Sequence, residues 1–124
     1  MRKFMIVAAA ALLFASPAVA QHKHGDKGPN GGPMEDVAGV HAEFLASGSA
    51  LTFNILDEDS KPLATKGYTG SVLIVSGSDR ETVQLTASDN ALKGEAKKVV
   101  PAGAAVTLQL KTAAGKSGQA RFKK

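Results

Sequence analysis

The chain has 124 residues, no cysteine, no tryptophan and a formal net charge of +4. Thiolate chemistry and disulfides are therefore excluded, and any metal must be held by imidazole, carboxylate, thioether, backbone or water. The basic residues are scattered, one tyrosine is present and no basic stripe occurs, so nucleic acid is not an expected partner.

Residues 1–20 read as a secretory signal peptide. Arg2 and Lys3 form a positive head, Phe4 to Phe14 is an apolar run, and Ala18-Val19-Ala20 is a small-x-small cleavage signal. The run is too short to span a bilayer comfortably, so no stable membrane insertion is expected after cleavage. Loss of Arg2 and Lys3 brings the charge from +4 to +2. The expected compartment is the periplasm, and about a hundred residues remain, enough for one small domain.

Residues 21–36 read as a flexible leader. Gln21 to Pro33 is rich in glycine, carries Pro29 and Pro33 and shows no apolar periodicity, so no regular structure is expected before about Val37. From there to residue 124 the pattern becomes short segments of period two. In "VHAEFL", Val40, Ala42 and Phe44 point one way, and His41 and Glu43 the other. "SGSA" reverses the chain into "LTFNIL", which makes a β-hairpin. "DEDSKP" is a polar turn, and "YTGSVLIV" is the most β-prone run. "RETVQLTA", "ALKGEA", "AVTLQLKT" and "QARFK" follow, separated by turn-forming residues.

Seven or so short strands without a convincing amphipathic helix predict an all-β fold, an antiparallel β-sandwich of Ig-like or Greek-key type. The implied core is Val40, Phe44, Leu51, Phe53, Ile55, Val72, Ile74, Val83, Leu85, Leu92, Val106, Leu108, Leu110 and Phe122.

No enzyme is expected. The serines sit in turn clusters, no nucleophile elbow is present, and "GPNGG" lacks the spacing of a phosphate loop. The histidines are different. All three, His22, His24 and His41, fall in the first part of the expected mature chain. His22 and His24 lie at i and i+2, Asp26 continues that spacing, and His41 with Glu43 repeats it in the first strand. Imidazole and carboxylate are donors that divalent copper, zinc, nickel and cobalt accept. Met34, the only methionine beyond the signal segment, adds a thioether that suits a softer ion. The same residues also read as polar positions of an export leader and a solvent-facing strand, and two histidines one residue apart form a motif of low specificity.

Three features carry a resemblance: Gly31-Gly32 after the leader, the His41-x-Glu43 strand, and the turn of Asp57, Lys61 and Pro62. Together the chain resembles the small N-terminal β-domain of periplasmic adaptor proteins of cobalt-zinc-cadmium and copper-silver efflux systems. It also resembles secreted proteins built from that domain alone. The resemblance implies a β-sandwich that binds heavy-metal cations, with His24 and His41 as the residues to carry over. It further implies an efflux component as a partner. The adaptors' coiled-coil, lipoyl-like and barrel domains are missing, which leaves binding, buffering or delivery linked to metal resistance rather than transport. The competing expectation is an Ig-like module that contacts another envelope protein without metal.

Overall fold

The computed structural model describes residues 26–124. The expected signal peptide, the start of the leader, His22 and His24 lie outside the described residues. Among those described there is no helix; the chain forms eight β-strands. These are β1 (Met34–Val37), β2 (Val40–Ser47), β3 (Ala50–Leu56), β4 (Thr69–Ser76), β5 (Asp79–Ser88), β6 (Ala91–Glu95), β7 (Ala105–Lys111) and β8 (Ser117–Lys123). Every paired neighbour is antiparallel, and the order is β1-β2-β3-β6-β5-β4-β7-β8 in one sheet.

The connectivity is of Greek-key type. β4, β5 and β6 follow one another as hairpins, and β7 returns across residues 96–104 to lie beside β4. The expected two-layer sandwich of about seven strands is not what this order describes. β5 runs for ten residues and changes partner along its length, pairing with β4 through Leu85 and with β6 from Thr86 to Ser88. The sheet thus continues round a corner instead of splitting in two. Its end strands nearly meet, because Gly118 of β8 packs so close to Ala38 that an added Cβ would lie 2.6 Å from the Ala38 nitrogen. The result is a nearly closed, barrel-like sheet.

Alternation decides what lies inside. Phe44, Phe53 and Leu92 share one row across β2, β3 and β6, and all three are buried. Phe44, Phe53 and Phe122 form an aromatic cluster with ring centroids 5.1 to 5.6 Å apart. The core expected from the sequence is buried throughout, except that Val40 is half-buried at its edge. Val37, Val100, Ala104 and Ala120 join it from positions where no long alternating run announced them.

Gly94 accounts for the corner. It pairs with Leu51 on the core face, and an added Cβ would lie 2.8 Å from side-chain atoms of both Val83 and Leu85. β5 can cross so near to β6 only because no side chain stands there. Gly94→Ala is expected to lower stability by about 1–3 kcal/mol through overpacking, measured as a shift in the urea midpoint. A midpoint equal to wild type would mean that the corner does not depend on this glycine.

Candidate functional site

Regular structure begins before Val37, where the sequence predicted none. Residues 28–31 form a turn in which the Gly31 amide donates to the Gly28 carbonyl at 3.0 Å, with Pro29 at its second position. Gly31 follows in the left-handed region at φ 83°, and the Gly28 amide donates to the Gly32 carbonyl at 2.7 Å. A type I-like turn closed by a left-handed glycine is a hairpin connection, so "GPNGG" is a reversal rather than a floppy linker. Lys27 bridges Pro33, the Met34 amide donates to the Asp26 carbonyl, and the Phe44 amide donates to the Pro33 carbonyl. The hairpin is thereby laid across the outer face of β2.

Glu43 receives it. This side chain points away from the core, as expected, yet it is fully buried under the hairpin. Its Oε2 accepts from the backbone amides of Asn30 (2.8 Å) and Gly32 (3.0 Å). Its Oε1 accepts from the side-chain amides of Asn30 (2.9 Å) and Asn54 (3.3 Å). Burial alone would push the carboxyl up. The donors from the Asn30 side chain, the Gly32 and Asn30 backbone and the Asn54 side chain outweigh it and hold the pKa below the ordinary 4.5. A methyl group on Gly28 would collide with the Glu43 carboxyl, and one on Gly32 with the Phe44 carbonyl, so both glycines are required by close approach. With both oxygens occupied and no exposed surface, Glu43 is not open to a cation in this structure; its chemistry is that of a clamp.

His41 lies elsewhere on the same outer face. Val37, Ala38, Gly39 and Val40 form the tight β1–β2 turn, with Ala38 at φ 51° and Gly39 at φ 84°. That turn sets Asp36 directly opposite His41, and the Asp36 Oδ1 bonds the His41 Nδ1. The imidazole is 24 % exposed and the carboxylate 55 %. A carboxylate that accepts the Nδ1–H fixes the tautomer and leaves the Nε2 lone pair for an electrophile. Asp36 was not a candidate on sequence grounds. The signal was the two-residue Ala38-Gly39 hairpin, obscured because such turns are usually marked by Asn-Gly or Asp-Gly.

Met34 pairs with Glu43 in register and is half-buried, and Asp26 is exposed beside it at the entry to β1. Among the described residues no group of three His, Cys, Asp or Glu side chains is gathered at a distance that would hold a metal ion. The structure therefore brings Asp36 to His41, sets Glu43 apart from it as a clamp, and leaves Asp26 and Met34 along the neighbouring edge. The polar turn after β3 is likewise structural. Asp57 Oδ1 accepts from the amides of Asp59 and Lys61, both at 2.9 Å, as a turn-forming aspartate does.

No family model, curated protein or solved structure matches this chain. The three features that carry the resemblance to the efflux adaptors each have a local duty in this fold: Gly31 and Gly32 shape the hairpin, Glu43 holds it, and Asp57 closes the turn at Lys61.

Because Glu43 titrates below 4.5 when folded, the unfolded chain binds more protons in the window just under that value. The stability that Glu43 contributes is present above about pH 4.5 and is lost as the pH falls through its folded value. Glu43→Gln should lower stability at neutral pH by on the order of 2 kcal/mol, since two backbone donors lose a charged acceptor. It should also flatten the acid limb of the urea-unfolding profile. An unchanged acid limb would show that the carboxylate is not holding these donors.

Proposed function

We propose that the protein binds a divalent transition-metal cation, copper, zinc, nickel or cobalt, through imidazole nitrogen, and that it buffers or delivers the ion in the periplasm. The observation that carries this reading is the Asp36–His41 pair on the outer face. Carboxylate–imidazole pairs of this kind present Nε2 as a metal donor, with the carboxylate fixing the orientation of the ring. His41 on its own is one donor, and one donor does not hold a metal at useful affinity.

The remaining donors in this proposal are His22 and His24. Asp26, tied to Met34, is the point at which that part of the sequence joins β1. His24 precedes Asp26 by two residues, and Asp36 follows Met34 by two. Asp26 and Met34 are supplementary donors along the same edge. The glutamate clamp bears on this reading indirectly, since it fastens the hairpin whose other arm leads to the histidines.

The resemblance to efflux-system domains agrees with this assignment and is the reason to name an efflux component as the recipient of the ion. The alternative, a metal-free interaction module that adds a partner strand at a sheet edge, has less support because β1 and β8 turn towards each other.

Calorimetric titration with Cu²⁺, Zn²⁺, Ni²⁺ and Co²⁺ tests the proposal. Binding should be strongest for the ions that prefer imidazole. His41→Ala should abolish the tight phase, and Asp36→Asn should weaken it about 10- to 100-fold. Millimolar binding only, or affinity unchanged when His22, His24 and His41 are all replaced by Ala, would reject the reading.

A further inference from the structure

The β6–β7 connection, residues 96–104, contains Lys97-Lys98-Val99 and is held from both sides. The Ala96 amide donates to the Ser49 carbonyl at 2.8 Å, the Lys97 amide to Glu81 Oε1 at 2.8 Å, and the Val100 amide to the Gly48 carbonyl at 3.1 Å. Lys124 Nζ donates to the Val100 carbonyl at 2.5 Å. Ala96 and Val100 are buried, so the residues between them are pushed outwards. Val99 is 66 % exposed, and among the described residues it is the one large hydrophobic side chain that stands in water. A single exposed valine is ordinary. Its surroundings make it informative.

Lys97 and Lys98 directly precede Val99, and all three line, with Arg80, Asp79 and Glu81, a cavity of about 330 Å³ at this end of the barrel. Arg80 pairs with Val75, Val75 with Ala105 and Ala105 with Lys123, which places Arg80 and Lys123 in one row on the outer face. Lys124 completes the set. The carboxylates nearby are Asp79, Glu81 and Glu95. Glu81 is engaged by the Lys97 amide, and Glu95 accepts from the Ser49 hydroxyl at 3.3 Å. Both hydrogen-bonded carboxylates keep their charge, yet the five basic side chains Arg80, Lys97, Lys98, Lys123 and Lys124 outnumber these three acids by two, whereas at the opposite end Asp36, Asp57, Glu58, Asp59 and Asp89 outnumber Lys61, Lys66, Lys111 and Lys116 by one.

We propose that this end of the barrel docks peripherally on a bilayer containing anionic phospholipids. Val99 enters the boundary between headgroups and acyl chains, and Arg80, Lys97, Lys98 and Lys123 lie over the phosphates. An apolar tip beside an excess of basic side chains supplies the two contributions that interfacial binding combines, buried apolar area and attraction to surface charge. Neither would suffice alone. The rigid anchoring of residues 96 and 100 means that the tip is presented without an ordering cost at the membrane. This proposal is independent of the metal-binding reading, since the Asp36–His41 pair on which that reading rests lies at the other end.

The test is co-sedimentation of the exported protein with vesicles of phosphatidylcholine alone and of phosphatidylcholine mixed with phosphatidylglycerol. The wild-type chain is expected to sediment with the mixed vesicles, weakly with the neutral ones, and less at high salt. Lys97→Glu with Lys98→Glu should reduce partitioning by about tenfold or more, and Val99→Ser by several-fold. The matched reversal Lys61→Glu with Lys66→Glu, at the acidic end, should leave it within about twofold. Each variant carries the same N-terminal segment and is checked for a wild-type urea midpoint. Equal sedimentation with both vesicle types would overturn the proposal. So would equal losses from the two double reversals, or retention by soluble polyphosphate without binding to anionic vesicles.

Discussion

The carboxylate of Glu43 is the interaction on which the rest of this architecture depends. A buried charge is tolerated only when its hydrogen bonds are complete, and here four donors from two separate parts of the chain complete them. Three come from the hairpin at Asn30 and Gly32, and the fourth comes from Asn54 on β3. The hairpin is thereby made part of the barrel wall. Its second arm runs straight into β1, and β1 in turn sets Asp36 against His41. Loss of one charged acceptor would release the cover, expose the outer face of β2 and loosen the strand that orients the imidazole. Stability and the geometry of the candidate metal donor are coupled through this one group.

Much of the barrel was legible in the alternation of the sequence, and the reasons for the misses are local. The rows containing Phe44, Phe53 and Leu92 follow from period-two patterning alone, because each strand has one face in the core and one towards solvent. β1 was missed because Met34-Glu35-Asp36-Val37 is an edge strand with charged positions, which hydrophobic patterning cannot separate from a leader. The barrel-like closure was illegible because it rests on β5 changing partners and on Gly94 admitting a close crossing. Both are tertiary facts. Glu43 was placed on the correct face but given the wrong surroundings, since nothing in a strand pattern shows that "GPNGG" will fold back over it. Proline and left-handed glycine at the right offsets were the available clue.

The candidate site divides in the same way. His41 was put forward from residue type and spacing, whereas its partner Asp36 is visible only in the strand register. The motifs behind the resemblance to efflux-system domains prove to be the joints of a small scaffold, as Gly32, Glu43 and Asp57 show. Motifs of that kind speak first to shape, and they bear on metal chemistry only through the imidazole that the shape positions. The Asp36–His41 pair and the exposed Val99 stand at opposite ends of the barrel-like sheet.

The most direct test of the central claim is a pH titration of the backbone amide resonances of Asn30 and Gly32 by nitrogen-resolved NMR. If Glu43 holds the hairpin as described, both protons are shifted downfield and protected from exchange, and both move together at a single midpoint below 4.5. Amides that exchange freely, or that pass through that range without a common transition, would contradict the account.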